Sequence, residues 1–136
     1  MSRIRLMNIM IDNLTMKEAL ERICELIKEN RCAFIVTPNV DHLVQIEKGG
    51  ILREAYNEAD LILPDGKPLI WISKVYGTPL KEKISGSDLL PELCECASKK
   101  KLKMYFLGAR EGVASRAADN LTRRFPGLNV VGNYSP

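Results

Sequence analysis

The sequence has little of what marks a nucleic-acid-binding or membrane-spanning protein. Its 136 residues carry a net charge of only +3, and the basic residues are scattered apart from a short cluster at Lys99–Lys101 and Lys103. Such a charge gives no argument for a nucleic-acid partner. No stretch approaches the roughly 20 apolar residues that cross a bilayer, and the N-terminus MSRIRLMNIM lacks the layout of a signal peptide. We therefore expect a cytoplasmic protein that does not bind nucleic acid.

Metal-binding and dinucleotide-binding patterns are also scarce. The chain has four cysteines and one histidine, His42. Cys94 and Cys96 form a C-x-C spacing, which differs from the paired C-x-x-C of a zinc site. The sequence predicts buried thiols and no metal ion. The fingerprint G-x-G-x-x-G is absent as well, which argues against a small Rossmann-type oxidoreductase.

The composition and patterning that are present indicate an α/β protein. Apolar residues make up 46% and charged residues 27% of a chain long enough for one domain with a substantial core. After a β-rich opening over Ile4–Ile11, apolar runs alternate with amphipathic segments. This alternation predicts a Rossmann-like, mainly parallel sheet with helices on both faces. Strands are expected at 32–36, 61–63, 104–107 and 128–131, and the first two of them are expected to be buried.

Caps, prolines and periodicity mark the helices. Thr15 and Glu18 have the spacing of a capping box, which starts a helix. The apolar positions expected on one face of that helix are Met16, Ala19, Leu20, Ile23 and Ile27. Further helices are expected from Val40, after Gly49-Gly50, over 68–76, from Ser87 and from Val113.

Polar residues follow the predicted strands, at the edge where open α/β sheets carry their binding sites. A fifth segment leads into a helix N-terminus, where hydroxyl groups and backbone amides suit an anion. The segments are Thr37-Pro38-Asn39, Pro64-Asp65-Gly66, Gly108-Ala109-Arg110-Glu111-Gly112, Asn133-Tyr134 and Ile84-Ser85-Gly86-Ser87-Asp88. Together they predict a small-molecule site at one edge of the sheet.

Each segment also has a purely structural interpretation. Asn39 and Asp65 are common helix caps, and the serines around Gly86 fit a turn followed by a cap. The Gly108–Gly112 turn is weak evidence for a nucleotide. His42 lies one turn into a helix, where a packed residue is commoner than a ligand. From the residues alone, a non-catalytic nucleotide- or sugar-binding module therefore remains an alternative to an enzyme.

Four motifs, in their order and spacing, carry a resemblance to a known family. They are TPNVDHLV (37–44), LILPDGKPLIW (61–71), KEKISGSDLL (81–90) and MYFLGAREGVA (104–114). Across nearly the whole chain they resemble the TagA/WecG/CpsF family of bacterial glycosyltransferases, glycosyltransferase family 26. The resemblance is strongest to the branch that adds N-acetylmannosamine in the first committed step of wall teichoic acid synthesis.

The resemblance implies an inverting hexosyltransferase. Its donor would be UDP-N-acetylmannosamine, its acceptor undecaprenyl-diphosphate-linked N-acetylglucosamine, and its product a β-1,4 linkage. By position, Asp65 matches the family's general base, and Thr37 and Asn39 match the polar pair beside it. Candidates for binding the rest of the donor are Lys83, Ser85, Gly86, Ser87, Gly108 and Arg110. No Asp-x-Asp pair of the metal-dependent kind occurs, so neither a metal nor another cofactor is expected.

Two departures from the family pattern concern this site. Lys83 stands where the family commonly has arginine, which keeps the charge but loses the bidentate fork. Ala109 stands where many members have a second glycine. We expect residues 1–136 to be a single α/β glycosyltransferase catalytic domain, truncated at its C-terminal end.

The segment that family members have beyond this point bears on partners and location. In the family it completes the nucleotide pocket and adds a basic appendage that meets the membrane. The resemblance therefore implies a cytoplasmic protein, peripheral on the inner face of the cell membrane. An apolar edge left uncovered would also favour a homo-oligomer.

Overall fold

The computed structural model describes residues 2–136, which divide between Leu89 and Leu90 into two compact units. Strands and helices alternate along the chain, so the mixed α/β class predicted from the sequence is confirmed. Within the described residues, three two-stranded sheets form: an antiparallel hairpin and two parallel pairs. One continuous sheet with helices on both faces stays a prediction.

The first unit begins with a hairpin and continues through alternating helices and short strands. Its elements are β1 (Arg3–Leu6), β2 (Ile9–Asp12), α1 (Met16–Lys28), β3 (Ile35–Val36), α2 (Val40–Glu47), α3 (Ile51–Glu58), β4 (Leu61–Ile62) and α4 (Lys67–Val75). The predicted capping box is present, because Thr15 Oγ1 accepts the Glu18 N–H over 3.3 Å and Glu18 Oε2 accepts the Thr15 N–H over 2.7 Å. Both backbone donors would otherwise lack a partner, so α1 begins where the sequence predicts.

The core of the first unit combines the hairpin with α2, α3, β4 and α4. Its buried residues are Leu6, Ile9, Ile11, Leu43, Ile46, Tyr56, Ala59, Ile62, Leu69 and Leu80. Asp12 is a fully buried carboxylate in the same unit. Its Oδ2 accepts the Ile62 N–H over 2.8 Å, and its Oδ1 lies 2.7 Å from Arg3 Nε. A charge can be buried here because both oxygens have donors.

The parallel pair of β3 and β4 continues beyond the strands as single hydrogen bonds. The Asp65 N–H donates to the Pro38 carbonyl over 2.9 Å. The Ile84 N–H donates to the Pro64 carbonyl over 2.8 Å. These two bonds bring the segments after β3 and β4, and the segment before the next helix, to the same end of the unit.

The strand predicted at 32–36 is wrong in its first half, because Cys32, Ala33 and Phe34 are exposed. The Phe34 N–H donates to Asp60 Oδ2 and its carbonyl accepts the Asp60 N–H, both over 3.0 Å. Asp60 thus binds both the N–H and the carbonyl of Phe34, which the sequence predicted to lie within a strand. The prediction of buried thiols is also wrong for Cys32, whereas Cys94 is buried.

The second unit is a parallel βαβ arrangement. The helix α5 (Gly86–Lys100) starts in the first unit and leads into β5 (Lys103–Leu107), α6 (Val113–Arg124) and β6 (Asn129–Tyr134). The register between the strands shifts once, which leaves Val131 unmatched. Beside this bulge, Gly132 has no room for a side chain, because a Cβ would lie 2.5 Å from Tyr105 Cε2.

Candidate functional site

Asp65 lies directly after β4, at the carboxyl end of the parallel pair, as the sequence predicts. The helix α4 begins after Gly66, whose φ of 103° favours glycine, and no side chain caps this N-terminus. The Asp65 carboxylate is half-buried and has no hydrogen bond or ion pair within residues 2–136. The interpretation of Asp65 as a helix cap is therefore wrong. A carboxylate without a structural partner remains available to a ligand.

Asn39 is both a helix cap and a possible ligand-binding group by geometry. Its Oδ1 accepts the His42 N–H over 3.0 Å, while His42 Nδ1 accepts the Asn39 N–H over 3.4 Å. Because a backbone N–H must face an oxygen, the orientation of the amide is determined. The Asn39 NH₂ group has no partner within the described range and can donate to a bound molecule.

Tyr56 of α3 completes this arrangement, since its hydroxyl lies 3.1 Å from His42 Nδ1. The Asn39 N–H is a donor that cannot reverse, so Nδ1 is an acceptor and the ring proton belongs on Nε2. The Tyr56 hydroxyl then donates to Nδ1. Burial raises the pKa of Tyr56, and the nearby negative charge of Asp65 raises it further. The phenol therefore stays protonated beside the candidate base.

Sequence reasoning interpreted His42 as a packed residue and did not assign Tyr56 to the site. The spacing of Asn39 and His42, three residues apart at a helix start, is a signal for a reciprocal cap and could have revealed the first contact. Tyr56 is 14 positions from His42 and on another helix. No local pattern encodes that contact.

Thr37 lies close to the start of α5, and its neighbour Pro38 accepts a hydrogen bond from the Asp65 backbone. It is half-buried, and its Oγ1 would be 4.0 Å from a Cβ added to Gly86. The closeness of Thr37 to Gly86 and the hydrogen bond between Asp65 and Pro38 bring four of the predicted site residues to one end of the first unit. They are Thr37, Asn39, Asp65 and Gly86.

Ser85 and Lys83 are both engaged with Asp88. The buried Ser85 hydroxyl accepts the Asp88 N–H over 3.2 Å and lies 3.0 Å from Ser87 Oγ. Lys83 Nζ lies 3.0 Å from Asp88 Oδ2. The Ser85 hydroxyl, and after it the Lys83 ammonium, hold the pKa of Asp88 below its ordinary value. Ser85 thus caps α5, and an anion at this helix start would compete with Asp88 for Lys83.

Gly108 and Arg110 belong to the second unit. Gly108 has a φ of 123° and donates its N–H to the Tyr134 carbonyl over 2.8 Å. Ala109 has a φ of 63°, a left-handed conformation in which a side chain is strained. Beside this turn lies a hollow of about 410 Å³, lined by Tyr105, Leu107 and small residues of α6. Arg110 is exposed.

Within residues 2–136, no three His, Cys, Asp or Glu side chains lie together in a way that could hold a metal ion. None of the helices in that range has both the length and the apolar character needed to cross a bilayer.

Comparison with known proteins identifies the class and then the family. Residues 4–136 match the family described as "Glycosyl transferase WecG/TagA/CpsF family". The match covers nearly the whole chain and assigns it to the glycosyltransferases. Within that class, the chain belongs to the WecG/TagA/CpsF family, and the resemblance noted in the sequence is confirmed.

Two relatives of the chain are both named N-acetylglucosaminyldiphosphoundecaprenol N-acetyl-beta-D-mannosaminyltransferase. The relative from Bacillus spizizenii (strain ATCC 23059 / NRRL B-14472 / W23) is 35% identical over 104 residues, which are 76% of this chain and 40% of the relative. The relative from Staphylococcus aureus (strain NCTC 8325 / PS 47) is 26% identical over 135 residues, 98% of this chain and 53% of the relative. The chain thus spans about half the length, or less, of the curated relatives it matches.

Proposed function

We propose that the protein is an inverting glycosyltransferase that moves N-acetylmannosamine from UDP-N-acetylmannosamine to undecaprenyl-diphosphate-linked N-acetylglucosamine. Family membership supports the transferase class, and the relatives' names support the sugar and the acceptor. The UDP carrier, the β-1,4 linkage and a role in wall teichoic acid synthesis rest on the four motifs. The observation that carries the proposal is the Asp65 carboxylate, which caps no helix and has no partner within residues 2–136.

In the proposed reaction Asp65 is the general base. The acceptor's C4 oxygen attacks C1 of the N-acetylmannosamine while its hydroxyl proton passes to the Asp65 carboxylate. The bond from C1 to the diphosphate oxygen breaks, and UDP leaves from the opposite face, so the anomeric centre inverts. A positioned base of this kind contributes on the order of 10²–10⁴-fold to the rate. One carboxylate is sufficient, and the proposal includes neither a metal nor another cofactor.

Substrate binding is assigned to the polar residues around Asp65. The Asn39 NH₂ group, kept outward by the cap at Oδ1, donates to an oxygen of the bound sugar, and the Thr37 hydroxyl lies on the same segment. Backbone amides and the positive end of the α5 dipole suit the leaving diphosphate. The remaining donor contacts are proposed for Lys83, Ser85, Gly86, Ser87, Gly108 and Arg110.

Several broader features belong to the same proposal. They are a Rossmann-like continuous sheet, a single catalytic domain, and action at the cytoplasmic face of the membrane. A homo-oligomer is included as well. Each of these features can be tested independently of the chemistry at Asp65.

Turnover with both substrates is the decisive experiment. The protein is incubated with UDP-N-acetylmannosamine and a lipid-linked acceptor analogue, and UDP is measured. Release of UDP only when both substrates are present is the expected result. Donor binding without turnover would contradict the proposal and favour a non-catalytic nucleotide- or sugar-binding module.

A further inference from the structure

The helix α4 is apolar on the face that leaves the core as well as on the face that enters it. Leu69 and Ser73 are buried, whereas Trp71 is 62% and Val75 is 85% exposed. Trp71 and Val75 are four residues apart and therefore lie one above the other on the same face. Tyr76, the next residue, is 62% exposed. A cluster of exposed large apolar side chains of this kind is typical of an interaction surface.

Positive charge borders this apolar face. Lys67 lies four residues before Trp71 and Lys74 lies three residues after it, so both share its side of the helix. Both lysines are exposed, and neither forms an ion pair within the part of the chain that the structure describes. The segment 66–80 contains no Asp or Glu. The face thus consists of a tryptophan and a valine flanked by two cations, and the acid nearest to it along the chain is Asp65, which precedes the helix.

We propose that the face formed by Lys67, Trp71, Lys74 and Val75 docks on an anionic lipid surface. The indole ring suits the boundary between headgroups and acyl chains, because it is apolar with one polar N–H group. The lysine stems can lie along the same boundary while their ammonium groups reach lipid phosphates. Each such cation strengthens attachment to an anionic leaflet.

The charge of this face also favours a lipid surface over a second copy of the chain as its partner. A two-fold contact through this face would bring the same patch of both copies together. Lys67 and Lys74 of one copy would then face the same lysines of the other, which opposes association. An anionic surface has the complementary charge.

Docking through α4 has a consequence for the site, which rests on the proposed function. Asp65 lies two residues before α4 begins. A lipid surface against α4 would therefore hold the Asp65 segment close to the headgroups, where the diphosphate of a lipid-linked acceptor resides. Lipid docking itself requires no transferase activity.

The test uses Trp71, the only tryptophan in the chain. We expect vesicles of phosphatidylglycerol and phosphatidylcholine to shift its emission to shorter wavelength, and brominated acyl chains in those vesicles to quench it. Pure phosphatidylcholine vesicles should have little effect, and added salt should weaken the response. Unchanged emission with the anionic vesicles would overturn the proposal. So would a shift that grows with protein concentration without vesicles, because it would assign the face to a second copy.

A matched pair of double variants tests whether vesicle binding depends on the lysines of this face or only on the total positive charge of the protein. Lys67→Gln/Lys74→Gln should weaken binding to the anionic vesicles by on the order of 10-fold. Lys17→Gln/Lys28→Gln removes the same charge from α1 and should weaken binding by less than about 3-fold. Equal losses would contradict docking through α4. Vesicle binding is measured without sugar nucleotide, so its outcome is independent of whether the protein turns over the proposed substrates.

Discussion

The hydroxyl of Tyr56 lies 3.1 Å from Nδ1 of His42 and connects α3 to the cap at the start of α2. This contact, with the Asn39 N–H on the same nitrogen, favours the tautomer in which Nδ1 accepts and Nε2 carries the proton. His42 is the only histidine in the chain, so ¹⁵N NMR of its ring needs no assignment between residues. We expect the Nε2–H tautomer, and a proton found on Nδ1 at neutral pH would contradict the arrangement.

The same hydrogen bond makes a prediction for stability. Tyr56→Phe removes the donor without removing the buried ring, and should lower the free energy of unfolding by about 1 kcal/mol. Tyr76→Phe is the control, because Tyr76 is exposed and should tolerate the change. Urea denaturation measures both variants. Equal stability of Tyr56→Phe and the wild type would show that the hydroxyl makes no such bond.

Acid should weaken the contact between Asp60 and the backbone at Phe34. The Arg31 guanidinium, 2.6 Å away, and then the Phe34 N–H hold the pKa of Asp60 below its ordinary value. The ionised carboxylate therefore stabilises the fold above about pH 4, and this contribution is lost as the pH falls through the lowered pKa. We expect the free energy of unfolding to fall more steeply below pH 4 for the wild type than for Asp60→Asn. Parallel pH curves from urea denaturation would contradict this role.

The sequence predicted elements best where a signal lies within one turn of chain. The α1 start followed from Thr15 and Glu18, which satisfy each other's backbone donors. The strand predicted at 32–36 forms only over Ile35–Val36, because its burial depends on residues far away along the chain. An apolar run indicates that a segment favours burial, but the side chains available to cover it come from distant parts of the chain, and Phe34 remains 43% exposed.

The candidate site was predictable to a similar extent. That polar residues follow β3 and β4 could be inferred, because strand ends carry sites in α/β folds. Whether each residue caps a helix could not, since Asn39 and Ser85 do so while Asp65 does not. A cap depends on where the first helical turn begins, to within one residue, and local patterns do not define that boundary.

The left-handed conformation of Ala109 predicts an unusual gain of stability. A side chain at φ 63° costs about 1–2 kcal/mol, whereas glycine adopts this conformation without that strain. Ala109→Gly should therefore raise the free energy of unfolding by up to about 1 kcal/mol, after the added entropy of the unfolded chain is subtracted. Ala117→Gly, inside α6, should lower it by about 1 kcal/mol. If both Ala109→Gly and Ala117→Gly lower the free energy of unfolding, the backbone at Ala109 is not strained in the way proposed.

Close approach of a ring to the backbone predicts the cost of a side chain at Gly132. An alanine Cβ would lie 2.5 Å from Tyr105 Cε2, so the ring must move. We expect Gly132→Ala to lower the free energy of unfolding by about 1–3 kcal/mol, at the lower end because the ring is 58% exposed and can swing outward. In a Tyr105→Ala background the same change should cost less than half as much. An equal loss of stability in both backgrounds would show that the cost comes from the backbone at position 132 and not from the Tyr105 ring.

Asp65→Asn separates catalysis from structure, because its carboxylate has no structural partner within residues 2–136. Asparagine keeps the size but cannot take up the acceptor's proton. We expect kcat to fall by on the order of 10²-fold or more, with the melting temperature and UDP affinity close to wild type. Asp88→Asn is the control, since Asp88 is bound to Lys83 and Ser85 at the start of α5. Its effects should appear in stability or in the KM for the donor, with a far smaller loss of kcat. Equal losses of kcat at both positions, or none at Asp65, would rule out Asp65 as the base.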